Sequence, residues 1–144
     1  VLVLTRQNIN VNAEFNCVDN VRKGAYIISE ASQNPVAQIV ATGSEVDLGI
    51  KAQKELENQG IFVDVVSMPC FRLFDMQDEV YKNSVLKTGI KKLGIEMASS
   101  FGWSKYVDDV LCIDTFGASG NGNEVMNLFG FNKETVVNKV KELI

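Results

Sequence analysis

The sequence predicts an α/β domain: a mainly parallel sheet with helices on both faces. Strand-like runs alternate with helical ones from Ala25 to Ile144, the pattern of a layered α/β fold. The run "IFVDVVSMP" (Ile61–Pro69) is almost continuously apolar, as expected for a strand covered on both faces. Before it, a β-rich run from Val36 reaches Thr42-Gly43, and Val46, Leu48, Gly49, Ile50, Ala52 and Leu56 then recur at helical spacing.

In chain order, "VLVLTRQN" (Val1–Asn8) reads as a strand whose end presents Arg6 and two amides, because an apolar start is unlike an ordinary loose terminus. Ile9–Gly24 is polar and weakly periodic, a connecting segment. Ala25–Ser29 is a short strand and Glu30–Pro35 a turn. After the run from Val36, Ser44 is placed to cap the next helix, with Asp47 three residues on as a capping-box variant and Gly60 as its stop. Phe71–Lys87 predicts helical pieces, and Lys91–Ala98 a strand reaching Glu96. Phe101–Asp109 predicts a short helix, Val110–Asp114 a strand, and Thr115–Glu124 a flexible loop. Asn132–Ile144 closes as a helix capped by Asn132, with Val136, Val137, Val140 and Leu143 on one face.

The chain has 144 residues, 46% hydrophobic and 22% charged, enough for one domain with a real core. No apolar stretch approaches the ~20 residues that span a bilayer. The net charge of −4 and scattered cations, with Lys91-Lys92 the nearest to a cluster, argue against nucleic acid. Cys17, Cys70 and Cys112 are far apart and odd in number, which suits free thiols in a reducing cytoplasm better than a disulfide framework or zinc site. Each reads as a small hydrophobe rather than a nucleophile. Histidine is absent, so no imidazole handles protons, completes a nucleophilic pair or binds a metal.

Five features merit weighing as sites. Gly43-Ser44 lies where backbone N–H groups could cradle a phosphate, but Glu45 and Asp47 in the first helical turn would repel an anion, so a structural cap is favoured. Glu96, at a strand's carboxyl end, is placed for acid–base work, although pairing with a nearby N–H or lysine is the plainer reading. Asp75 and Asp78, about one helical turn apart, read as helix caps or solvated carboxylates before a catalytic pair, and Gly117–Gly122 as a connection before a ligand cover. Arg6 could bind phosphate or carboxylate in bidentate fashion, against a plain salt bridge.

Read in order, "LTRQN" (Leu4–Asn8), "KGAYII" (Lys23–Ile28), "ATGSEVDLGIKA" (Ala41–Ala52), "VVSMPC" (Val65–Cys70), "LFDMQDEVYKNSVL" (Leu73–Leu86), "GIEMASSFGWSKYV" (Gly94–Val107), "DTFGASG" (Asp114–Gly120) and "FGFNKETVVNKVKEL" (Phe129–Leu143) resemble the C-terminal region of transketolases across nearly the whole chain. The resemblance implies a three-domain, homodimeric enzyme of the cytoplasm that moves a two-carbon ketol unit from a ketose phosphate to an aldose phosphate. It implies thiamine diphosphate and a divalent metal, Mg or Ca, held by upstream domains, with no cofactor or metal expected in this fragment. Residues 1–8 would be the last strand of a missing pyrimidine-binding domain, 9–23 a linker, and 24–144 the C-terminal domain, serving dimer packing and inactive alone. The arginine of "RQN", here Arg6, would contact the sugar phosphate. The family often has Ala-Pro after "FGxS" where this chain has Gly120-Asn121, which lacks proline's fixed φ and implies a looser loop.

Related readings compete. The same domain type occurs in 1-deoxyxylulose-5-phosphate synthase and pyruvate dehydrogenase beta-type subunits, but "RQN" and "VSMP…FDxQD" favour transketolase. A non-catalytic α/β module binding a nucleotide or a protein lacks the glycine-rich fingerprint and would not expose an apolar opening strand.

Overall fold

The computed structural model describes residues 8–10 and 18–144. The first half runs α1 (Val18–Val21), β1 (Tyr26–Ser29), β2 (Ala37–Ala41), α2 (Glu45–Asn58), β3 (Val63–Ser67), α3 (Phe71–Asp75) and α4 (Glu79–Val85). The second half runs β4 (Lys91–Ile95), a 3-10 turn (Trp103–Lys105), β5 (Asp109–Leu111), α5 (Gly122–Leu128) and α6 (Lys133–Leu143).

The strands form one sheet in the order β1-β3-β2-β4-β5. Only β1 is antiparallel to its neighbour; β3, β2, β4 and β5 run parallel, with Ile39 of β2 level with Val65 and Leu93 on either side. Successive side chains point to opposite faces and fill two cores. On one face, Ala37, Ile39, Ala41, Leu93 and Ile95 meet Leu48, Ala52 and Leu56 of α2 and Val136, Val137 and Val140 of α6. On the other, Val40 and Val66 meet Met68, Phe74, Val85 and Trp103. The helices therefore cover both faces, as the sequence predicts. A Cβ on Gly49 would come within 3.3 Å of Ile39 and Val65, so the missing side chain lets α2 lie close against the sheet.

Phe71–Lys87 does divide into helical pieces. Asp78 ends the break between them, its carboxylate accepting the Tyr81 N–H at 2.7 Å as a side-chain cap. Four expectations need correction. The helix expected over Phe101–Asp109 is a single 3-10 turn, fixed by buried Trp103, whose ring meets Phe71 edge-on at 5.0 Å. β5 starts at Asp109 and ends at Leu111, earlier than the expected strand. The loop expected to reach Glu124 gives way at Gly122 to α5, because the Asn121 side chain accepts the Asn123 N–H at 3.0 Å and starts a helix. The segment expected to be only a connection also carries the one-turn α1.

The amino end of the sheet is tied by buried polar groups. Gln38 donates to Val85 O at 2.9 Å and to Asp64 at 3.3 Å, and accepts from Lys87 N at 2.9 Å. Asp64 accepts from Ala31 N at 3.0 Å and pairs with the Lys87 ammonium at 2.7 Å. Gln53 of α2 donates to Val63 O at 2.8 Å and accepts from Ser29 Oγ at 2.6 Å, joining helix, β1 and β3.

Candidate functional site

From β2 the chain passes through α2 to β3 on one side, and from β3 it crosses back over β2 to β4 on the other. The strand order therefore reverses between β2 and β4, and the crevice beyond their carboxyl ends is where open α/β sheets present ligands. The segments meeting there are Thr42–Glu45 after β2, Glu96-Met97 after β4 and Cys112–Asp114 after β5.

Ser44 does not cap α2. Its backbone is already helical at φ −66°, ψ −26°, whereas a capping residue is extended, and its hydroxyl donates instead to Glu45 Oε1 at 2.6 Å. A turn from Glu45 N to Thr42 O at 3.2 Å starts the helix. The capping box is likewise unformed: Asp47 pairs with Lys51 at 2.6 Å and accepts from Asn10 at 3.0 Å. Its two cationic and amide partners hold the Asp47 carboxyl below the ordinary aspartate value despite partial burial.

Glu45 is buried, and its second carboxylate oxygen takes the Met97 N–H at 3.4 Å. That places Glu45 beside the half-buried Glu96. Burial, and then the negative charge of Glu45, push the Glu96 carboxyl up to about 7. Neither glutamate is ion-paired among the described residues, so the expected N–H or lysine partner of Glu96 is replaced by a second carboxyl. Cys112 lies alongside, its thiol pushed up to about 11 by burial and then by Glu96 and Asp114, which makes it inert at neutral pH. Together these groups can hold and release a proton near neutrality, and they disfavour a bound anion.

The other predicted site residues lie elsewhere. Asp75 binds Lys105 at 2.7 Å and the Tyr106 hydroxyl at 2.9 Å, and Asp78 caps α4, so these two aspartates are structural. Lys91 pairs with Asp108 at 3.0 Å. Residues 117–121 are exposed connection. Cys70 and Cys112 are free thiols. Arg6 and Cys17 lie outside the described residues. Glu45 was legible only as a helix-start acid; its proximity to Glu96 depends on strand order, for which the sequence carries no local signal.

Among the described residues, no cluster of His, Cys, Asp or Glu could hold a metal ion, and no helix is long and apolar enough to cross a membrane. Residues 24–132 match the family model of the transketolase-like TK C-terminal domain. The chain is 49% identical over 150 residues to a transketolase of Bacillus subtilis, covering 99% of this chain and 22% of the relative. A Staphylococcus aureus transketolase is 46% identical over 148 residues, again covering 99% and 22%. Among solved structures, a Pichia stipitis transketolase in complex with sedoheptulose 7-phosphate superposes with a TM-score of 0.87 at 41% identity, covering 92% of this chain and 19% of that one. A Leishmania mexicana transketolase gives 0.90 at 38% identity, covering 96% and 20%. The chain thus spans about a fifth of the length of the relatives it matches.

Proposed function

This chain belongs to the transketolase family through its C-terminal domain, and from that premise we propose that it serves an enzyme moving a two-carbon ketol unit from a ketose phosphate to an aldose phosphate. The observation that carries the reading is a match at 49% identity along 99% of the chain. Residues 1–8 belong to the preceding pyrimidine-binding domain, 9–23 are the linker and 24–144 the C-terminal domain. The enzyme works as a homodimer in the cytoplasm.

Thiamine diphosphate and its Mg or Ca ion belong to upstream domains. The chemistry of the crevice supports this division: Glu45 and Asp47 occupy the helix start where a diphosphate would otherwise dock. When bound upstream, the cofactor supplies the carbanion chemistry of ketol transfer. Within this chain, Arg6 holds the substrate phosphate by a bidentate, charge-assisted contact.

The test is ketol transfer by the full-length protein with thiamine diphosphate, Mg²⁺ and sugar phosphates. Arg6→Ala should raise KM about 10- to 100-fold, the loss of a hydrogen-bonded charge pair, with kcat little changed. An inactive full-length protein would overturn the functional reading. An active enzyme indifferent to Arg6→Ala would overturn the assignment of Arg6.

A further inference from the structure

Two loops at the carboxyl end of the sheet are tied together, yet their phenylalanines are left in water. Asp114, beyond β5, accepts from Ser99 Oγ at 3.0 Å and from Ser100 N at 2.9 Å, and Ile113 N donates to Ala98 O at 2.8 Å. Phe101 follows this knot on one side and is 90% exposed; Phe116, two residues beyond Asp114, is 100% exposed. The other described phenylalanines, at positions 62, 71, 74, 129 and 131, are all buried or half-buried. Apolar rings held out by a pinned backbone are the anatomy of a binding surface rather than of a loose loop.

The route of the chain says what covers them. Asn10 Nδ2 donates to Asp47 in the first turn of α2, and Asn8 and Ile9 line a cleft of about 360 Å³ with Ser44, Asp47 and Asn123. Because β2, β4 and β5 are parallel, the start of α2 and the two phenylalanine loops lie at the same end of the sheet. Residues 8–10 therefore lie at the end of the sheet on which the rings are exposed. The relatives carry about four-fifths of their length outside the matched region.

We propose that this end of the sheet is a docking face covered by the part of the polypeptide that precedes residue 1, which presents an apolar surface to Phe101 and Phe116. The inference rests on the reading of this chain as one domain of a longer enzyme. Its geometry concerns neither the substrate nor the cofactor.

The test uses the full-length protein, with ketol transfer assayed in parallel. A thiol introduced by Phe116→Cys should react with a maleimide at least tenfold more slowly than one introduced by Asn58→Cys, an exposed position at the opposite end of α2. The protection should be independent of protein concentration. Equal rates in an active enzyme overturn the docking face and leave the functional reading standing. Protection that vanishes on dilution to monomers assigns the face to a second copy and also overturns the proposal. Hydroxyl-radical footprinting of the unaltered protein gives a second measurement. Oxidation of Phe101 and Phe116 as slow as that of buried Phe74 supports the proposal, and oxidation at the rate of a free ring overturns it.

Discussion

At the amino end of the sheet, Gln38 and Asp64 are buried with each side-chain nitrogen and oxygen partnered, whereas at the carboxyl end Glu45 and Glu96 crowd together with no cation bound to either among the described residues. The first end also ties α2, β1 and the segment after α4 to the central strands. The second holds a proton-sensitive pair, an inert thiol and two solvated phenyl rings. Satisfied buried networks hold one arrangement of the chain, while groups left unmatched are available to something outside it. One end of this sheet fixes the fold, and the other carries the groups that the fold leaves unmatched.

The sharpest way to break that division is Asp64→Ala. It leaves the partly exposed Lys87 ammonium unpaired and removes acceptors from Gln38 and Ala31 N, so stability should fall by about 2–3 kcal/mol, chiefly from donors left without an acceptor. Urea denaturation measures it; a loss under about 1 kcal/mol would place Asp64 with ordinary surface pairs.

The carboxyl end should respond to pH instead. Glu96 carries a value of about 7 in the folded chain against 4.5 for an unperturbed glutamate, so the folded state retains a proton the unfolded state has released between those two pH values. Stability therefore falls as pH rises from 4.5 to about 7 and levels off above it. Glu96→Gln stays uncharged and should remove this decline, with no gain near pH 4 and about 1 kcal/mol above pH 7, since solvent reaches the half-buried carboxyl. Thermal midpoints of both proteins across this range check the sign. Parallel curves would mean that neither burial nor Glu45 raises the Glu96 carboxyl.

How far the sequence carried the fold depends on burial. α2 and α6 were legible because each buries a stripe, with Leu48, Ala52 and Leu56 on one and Val136, Val137 and Val140 on the other. α5 was not, because none of its residues is buried and it leaves no periodic trace; its signals are the Asn121 cap and Gly130 at φ +79°, just past its end. The Ser44 cap failed for a different reason. Residue type favours a cap there, but the Ser44 backbone is already helical rather than extended, so its hydroxyl caps no helix N–H and donates to the adjacent Glu45 carboxylate. Glu96 could be placed at a strand end from its apolar run, whereas Glu45, 51 positions away, becomes its neighbour only once β4 pairs with β2.

The smallest effects expected are also at the carboxyl end. Ser44→Ala removes a hydroxyl that caps no backbone group, so its cost should stay within about 0.5 kcal/mol, against about 1 kcal/mol for Asp78→Ala, which deletes a formed cap. Phe116→Ser in this chain should also fall within about 0.5 kcal/mol, because a fully exposed ring gives up no folded contact. The same substitution in the longer protein should cost about 1–2 kcal/mol if the upstream polypeptide covers the ring. The difference between those two measurements isolates the docking contact from the stability of the domain itself. Equal values in both settings would leave Phe116 an ordinary surface residue and would reduce the contrast between the two ends to the glutamate pair alone.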